Sequence, residues 1–244
     1  MKVLSYNIHK GFTLNNRRFV LDQIRQGIRQ THADVVFLQE VQGTHVRHAR
    51  QVENYPSVSQ FEYLAEEMWP HFAYGKNAVY EAGHHGNAIL SKYPIEAWHN
   101  LDISTNAWER RGLLESRIRL PDGRPLHLFS LHLNLLGGGR RVQVDRICNH
   151  IERYAPNDEP LLLAGDFNDW RKEISAPLRE RLELREAFFD LNGRYAVSYP
   201  GRWPLLSLDR VYYRNLDPVR AEVLRGDPWR RLSDHLALTV EFKG

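Results

Sequence analysis

Cysteine is almost absent from this chain: Cys148 is the only one in 244 residues. A lone cysteine excludes an intramolecular disulfide and is typical of a protein from a reducing compartment. Cys148 is spaced at helical intervals from Val144, Ile147 and Ile151, which predicts a buried core thiol rather than a nucleophile. Residues 1–4 lead directly into an apolar strand pattern without a signal peptide, so we expect a cytoplasmic protein.

The chain also lacks an apolar run long enough to span a bilayer, so we expect no integral membrane segment. Its 33 basic and 30 acidic residues leave a formal net charge of only +3, which argues against a polybasic tail that binds nucleic acid. The net charge does not identify a partner or an oligomeric state. A hydrophobic content of 42% is typical of a globular enzyme. Because no low-complexity linker divides the chain, residues 1–244 are predicted to form one large domain rather than two small ones.

The most informative segment is residues 161–168, an apolar run that ends in an acid and an amide two positions apart. If the run is a buried strand, Asp166 and Asn168 project to the same face. Such a pair can hold a water molecule or a metal-bound oxygen.

The same layout recurs along the chain, with polar or ionisable residues at the ends of other apolar segments: Asn7, Glu40, His132, Asp209, Asp234 and His235. Carboxylates beside apolar segments are costly to desolvate unless they are paired or bound to a cation. Turn initiation by Asp and Asn explains any one of these positions equally well. The whole set is better explained by one shared cationic site.

Hydrophobic periodicity predicts a mixed α/β (α+β) fold. Strands are predicted at 2–8, 34–39, 86–91, 114–120, 126–133, 160–165, 207–214 and 235–242. Helices are predicted at 17–30, 59–69, 140–154 and 176–183. Because adjacent strand pairs alternate with strand–helix–strand units, we expect mixed sheets covered by helices, with the polar strand ends along one edge.

Short segments of the chain, in this order, resemble the endonuclease/exonuclease/phosphatase superfamily. They are YNI at 6–8, LQE at 38–40, GNAILS at 86–91, SLH at 130–132, GDFN at 165–168, LDR at 208–210 and SDH at 233–235. The resemblance implies a four-layer α/β/β/α sandwich, in which two mixed β-sheets pack face to face with helices outside. It also implies hydrolysis of a phosphate ester with a divalent cation.

Carried over by position, the resemblance implies that Glu40 is the principal metal ligand, assisted by Asn7 and Asp234. Carboxylate and amide oxygens suit Mg²⁺, with Mn²⁺ as the alternative, and no grouping of Cys and His suggests zinc.

The resemblance also implies the catalytic residues. Asp166 corresponds to the residue that orients or deprotonates the attacking water, with Asn168 beside it. His235 corresponds to an imidazole that contacts the phosphate, and Asp209 would set its tautomer and favour its charged form. His132 resembles a second such imidazole, and Arg111 is our candidate for the guanidinium that neutralises charge on the phosphoryl oxygens.

Departures from the pattern bear on the substrate. His9 stands where abasic-site endonucleases commonly carry an acid, and His132 stands where they use a tyrosine. The disulfides and secretion signal of the deoxyribonucleases are absent. The segments HKG at 9–11, GHHGN at 83–87 and GDFNDW at 165–170 look most like a largely uncharacterised bacterial subgroup.

The substrate classes left open are nucleic acid, which we favour, and a phospholipid or inositol phosphate head group. An elongated basic groove would favour a polymer, whereas a pocket with an apolar rim would favour a lipid. A non-catalytic binding module on the same fold is a further alternative, but every expected position is occupied. Trp203, just before Asp209, is our first candidate for base stacking, although most tryptophans simply pack.

Overall fold

The computed structural model describes residues 1–243, which form two mixed β-sheets and a set of helices. The strands are β1 (Lys2–Asn7), β2 (Val35–His45), β3 (His71–Tyr80), β4 (Gly83–Ser91), β5 (Ile95–Asp102), β6 (Gly112–Arg119), β7 (Pro125–His132), β8 (Leu161–Asp166), β9 (Arg185–Glu186), β10 (Asp209–Arg214), β11 (Pro218–Val223) and β12 (Leu238–Phe242). The helices are α1 (Leu21–Gln30), α2 (Val46–Gln51), α3 (Gln60–Ala65), α4 (Gly137–Tyr154), α5 (Ser175–Leu182), α6 (Ala187–Asn192) and α7 (Trp229–Leu232).

Each sheet has six strands, in the orders β11-β12-β1-β2-β4-β3 and β5-β6-β7-β8-β10-β9. The β1–β2 and β7–β8 pairs are parallel, and the other neighbours are antiparallel. Alternate residues of these strands face opposite sides, so one set fills the core between the sheets and the other packs under helices. Val3 and Leu128 belong to the central core, whereas Leu4 packs with α1 and Leu163 packs with α4. The predicted four-layer sandwich is confirmed.

The predicted strands and helices are all present, with shifted ends. The predicted strands at 207–214 and 235–242 begin only at Asp209 and Leu238, where pairing with neighbours starts. The helix predicted at 17–30 begins at Leu21, and that predicted at 59–69 ends at Ala65. These limits were missed because strand pairing and helix capping depend on contacts that periodicity does not report.

Several elements were missed altogether. Strands β3, β5, β9 and β11 border their sheets, and β5 in particular has mostly exposed or half-buried side chains without a clear apolar alternation. Helices α2, α6 and α7 span six residues or fewer, too short for a helical period to register. No helix among residues 1–243 combines the length and the apolar character needed to cross a membrane.

The fold brings the polar strand ends together at one edge. Asp166 is paired with His132 on one side and with Asp209 on the other, at the ends of β7, β8 and β10. In the first sheet, β2 carries a bulge between Leu38 and Val41, and within it Glu40 adopts a positive φ of 55°. Non-glycine residues in this conformation are uncommon and concentrate at functional sites.

Candidate active site

Asp166 lies at the centre of the polar cluster. Its Oδ2 atom is 3.5 Å from Nε2 of His132 and 3.6 Å from Nε2 of His235, and it accepts a hydrogen bond of 3.2 Å from Nδ2 of Asn7. Its Oδ1 atom accepts the backbone N–H of Asn168. Burial raises the pKa of this carboxyl above its usual range, although the nearby His235 opposes the rise. The predicted water-activating residue is therefore flanked by both predicted imidazoles.

His235 is held by a second carboxylate. Its Nδ1 atom is 2.8 Å from Oδ2 of Asp209, which also accepts a hydrogen bond from the Ser198 hydroxyl, and the Tyr199 ring lies 4.9 Å from the imidazole. Burial disfavours the charged imidazole, but Asp209 and Asp166 outweigh burial and raise the pKa of His235. Bonded in this way, Nδ1 carries a proton and Nε2 faces Asp166.

His132 has the opposite electrostatic setting. Burial, assisted by the neighbouring Arg111, lowers the pKa of His132 well below its usual value. Two imidazoles of different charge thus face the same Asp166 oxygen, His235 as the cation and His132 as the neutral ring. The strand ends predicted these two residues, but only the packing around them separates their charge states.

Glu40 forms the other end of the site. Its Oε1 atom accepts a hydrogen bond of 3.3 Å from Nδ2 of Asn7, the same amide nitrogen that bonds Asp166. Its Oε2 atom lies 3.2 Å from Nζ of Lys10. Burial would raise the pKa of this carboxyl, but neighbouring positive charge, that of Lys10 in particular, outweighs burial and holds it well below the usual range. Glu40 is therefore an anion beside Asp166.

His9 links Glu40 to Asp234. Its Nδ1 atom is 3.4 Å from Oδ1 of Asp234 and 3.9 Å from Oε2 of Glu40. His9 and Lys10 were not among the predicted site residues. Their position directly after Asn7 was the available signal, but the sequence does not show that positive φ angles of 45° and 57° turn this segment toward the site.

Asn168 does not share a strand face with Asp166. Strand β8 ends at Asp166. Asn168 lies beyond the strand and has a φ of 51°, so the alternation of side chains between the two strand faces does not extend to it. Its side-chain amide instead donates 2.9 Å to the carbonyl of Leu133. This bond ties the loop after β8 to the loop after β7, which positions Asp166 beside His132.

Arg111 lies at the border of the site. Its Nη2 atom is 2.8 Å from Oε1 of Glu109, which also accepts the backbone N–H of Leu135. Burial is the main cause of the low pKa of both His132 and His85, and the Arg111 charge lowers both pKa values further. The Nδ1 atom of His85 is buried without a hydrogen-bond partner.

Oxygen ligands for a cation are available at two places. Ligand atoms of Asp166, Asp209 and His235 lie within 4.8 Å of one another. However, Asp209 is already bonded to a charged His235, and an imidazolium is no metal ligand. Glu40 and Asp234, whose carboxylate oxygens lie 3.9 and 3.4 Å from Nδ1 of His9, provide the hard anionic oxygens that Mg²⁺ prefers.

Comparison with known proteins gives relatives along the full length. The chain is 46% identical over 242 residues to the uncharacterised protein YbhP of Escherichia coli strain K12, covering 99% of this chain and 95% of YbhP. Among solved structures, a D. rerio TDP2 complexed with a single-strand DNA product superposes with a TM-score of 0.73 at 20% identity, covering 100% and 99% of the two chains. A mannosyl-6-phosphatase of Bacteroides thetaiotaomicron VPI-5482 superposes with a TM-score of 0.75 at 18% identity, covering 100% of both chains.

The family model described as the Endonuclease/Exonuclease/phosphatase family matches residues 4–235. Because that match spans all but the ends of the sequence, the chain belongs to the endonuclease/exonuclease/phosphatase family, whose enzymes are hydrolases of phosphate esters.

Proposed function

We propose that this protein is a divalent-metal-dependent phosphodiesterase that uses a water molecule activated by Asp166. The observation that supports this most directly is the position of the Asp166 Oδ2 atom within 3.6 Å of both His132 and His235. A base placed between two imidazoles can take a proton from water while those imidazoles hold the phosphate that the water attacks.

The charged His235 would donate a hydrogen bond from Nε2 to a phosphate oxygen. Asp209 favours this charged form and fixes the ring orientation by accepting from Nδ1 at 2.8 Å. Neutral His132 would contact a second oxygen through a ring N–H, and the Arg111 guanidinium would balance the negative charge that develops as the water attacks. Asn168 would position the loop that carries Asp166, since its amide binds the Leu133 carbonyl.

We assign the cation, Mg²⁺ or Mn²⁺, to Glu40 with help from Asp234. The residues fit such a group because their oxygens are anionic and near one another around His9. Asn7 donates through its amide nitrogen to Glu40 and Asp166, while its own oxygen accepts from the His9 backbone, so it orients the metal-binding carboxylate relative to the proposed base. A divalent cation bound there would withdraw charge from the phosphate.

The substrate could be a nucleic acid polymer or a smaller phosphate ester. The same fold serves a protein complexed with single-strand DNA and a mannosyl-6-phosphatase, so the fold alone does not select between polymer and small phosphate. The sequence alone favoured a nucleic acid, DNA or RNA, with a phospholipid or inositol phosphate head group as the alternative, and the exposed surface around the site is the observation that bears on this choice. A non-catalytic module is disfavoured because the acids, imidazoles and amide are all in place. The cytoplasmic location also stays a prediction.

The test is hydrolysis of bis(p-nitrophenyl) phosphate by the purified chain. After dialysis against EDTA we expect no turnover, and re-addition of Mg²⁺ or Mn²⁺ should restore it. Glu40→Gln should lower turnover on the order of 10²-fold or more. Glu81→Gln, a control at a side chain that is 94% exposed, should behave as the unmodified protein. Hydrolysis that survives complete chelation would refute the metal-dependent mechanism.

A further inference from the structure

Large apolar side chains are exposed on loops at the edge that carries the site. Trp108 is 97% exposed, Leu136 76%, Trp203 71% and Leu205 79%, with Leu135 at 57%. These residues are called the apolar rim below. A single exposed apolar residue is ordinary, but a group of them around a polar site marks a surface that meets an apolar partner.

The apolar rim lies on both sides of Asp166. Trp108 belongs to the loop between β5 and β6, and Leu135 and Leu136 follow β7, on the same flank of β8 in the sheet. The two loops are joined by Glu109, which accepts the backbone N–H of Leu135 at 3.0 Å.

Trp203 and Leu205 flank the site from the other direction, in the loop that precedes β10. That loop is tied to the site, since the backbone N–H of Gly201 donates 2.6 Å to the carbonyl of Asp234. The Tyr199 ring packs 4.9 Å from His235. A surface that contacts the apolar rim therefore also covers the catalytic cluster.

Each part of the apolar rim carries an exposed arginine. Arg202 precedes Trp203, Arg110 accompanies Trp108 and lies 3.7 Å from Asp102, and Arg141 follows the two leucines in the first turns of α4 and lies 3.9 Å from Glu173. Apolar side chains interspersed with basic ones are the composition by which proteins bind an anionic interface, because the side chains insert while the cations contact the negative head groups.

We propose that the apolar rim docks this protein on the surface of an anionic phospholipid bilayer, where the site hydrolyses the phosphodiester of a lipid head group. Water forms a new P–O bond, the P–O bond to one ester alcohol breaks, and the proton that water gives to Asp166 is returned to that alcohol as it leaves. This rests on the proposed phosphodiesterase function, for which it names the substrate class. Single-stranded nucleic acid is the competing partner, and tryptophans would serve it by stacking on bases. The exposed leucines have no π-face to stack, and they favour hydrocarbon over bases.

The experiment measures cosedimentation of the full chain with vesicles, in EDTA so that no turnover occurs. Vesicles of phosphatidylcholine with phosphatidylglycerol are compared with vesicles of phosphatidylcholine alone and with a single-stranded oligonucleotide. The test variants are Leu135→Asn with Leu205→Asn, and Trp108→Ala with Trp203→Ala. Trp98→Ala is the matched control, because Trp98 is 54% exposed but lies in mid-strand, paired with Ser116.

We expect the unmodified protein to bind the vesicles that contain phosphatidylglycerol, and both double variants to bind about tenfold more weakly or worse. Trp98→Ala should bind normally, and circular dichroism should show that all variants are folded. Absence of vesicle binding by the unmodified protein, or unchanged binding by the leucine variant, would overturn the proposal. Oligonucleotide binding that needs the tryptophans but not the leucines would assign the rim to nucleic acid instead. Hydrolysis of bis(p-nitrophenyl) phosphate tests catalysis separately, so either proposal can fail alone.

Discussion

Nη2 of Arg210 lies 3.2 Å from Oδ2 of Asp169, and neither side chain is exposed to solvent. The same carboxylate accepts the backbone N–H groups of Glu173 and Ile174. Asp169 follows the segment of Asp166, and Arg210 is the neighbour of Asp209 along β10. The pair therefore joins the two segments that carry the proposed catalytic residues Asp166 and Asp209, and it lies behind the site.

Asp169→Ala should destabilise the protein by about 3–5 kcal/mol, because the Arg210 guanidinium would remain buried without its counterion. The measurement is the free energy of unfolding in urea. The exposed Asp145, whose carboxylate lies 2.7 Å from Arg181, provides the control. Asp145→Ala should cost no more than about 1 kcal/mol. Equal losses for the two variants would mean that burial adds nothing to the Asp169–Arg210 pair.

Asp166→Asn should reduce turnover of bis(p-nitrophenyl) phosphate by about 10² or more, since an amide cannot accept the proton of the attacking water. The substitution keeps the shape of the side chain, so the unfolding midpoint should change little. Asp158→Asn, at an exposed position, is the control for the chemical change itself. Near-normal turnover by a folded Asp166→Asn protein would remove this residue from the mechanism.

His235 and Asp209 should behave as one unit in kinetics. His235→Ala should lower turnover by about 10² or more, and Asp209→Asn by a smaller factor, because the imidazole survives with a weaker hold on its tautomer. Adding Asp209→Asn to His235→Ala should cause little further loss. Steady-state rates of the two single variants and the double variant test this. Fully multiplicative losses would show that Asp209 acts independently of the imidazole.

Glu186 should make stability depend on pH. Its buried carboxylate accepts the Phe189 backbone N–H at 2.7 Å, and burial raises its pKa from 4.5 to about 7. Because the folded-state pKa lies above the unfolded one, the folded protein holds this proton more tightly. Stability from this group is therefore full below pH 4.5 and is lost as the pH rises toward 7, by about 3 kcal/mol in total.

Glu186→Gln should remove that part of the pH dependence, since a neutral amide replaces the titrating acid. Thermal unfolding of both proteins from pH 5 to pH 8 provides the comparison. As the pH rises, the unfolding midpoint of Glu186→Gln should increase relative to that of the unmodified protein. A difference that stays constant across this range would contradict a raised pKa at Glu186.

The local features of the chain account for much of the fold and site. Central strands such as β8 are buried on both faces, so their apolar composition identifies them without knowledge of their neighbours. The polar residues that follow them, among them Asp166 and His132, were predicted for the same reason. Border strands such as β5 were not predicted, because they form a strand through pairing with a neighbour and not through an apolar composition of their own.

By itself, then, the sequence determined the combination of mixed sheets with covering helices and most polar members of the site, because both follow from burial patterns within short segments. Only the tertiary structure decided which of these residues contact one another and which charge states they adopt. Asn7 and Asp166, for example, are 159 positions apart in the chain and share a hydrogen bond. Distances and burial between remote segments exist only once the chain has folded. They decide the opposite charge states of His132 and His235, the presence of His9 and Lys10 in the site, and the pairing of Asp169 with Arg210.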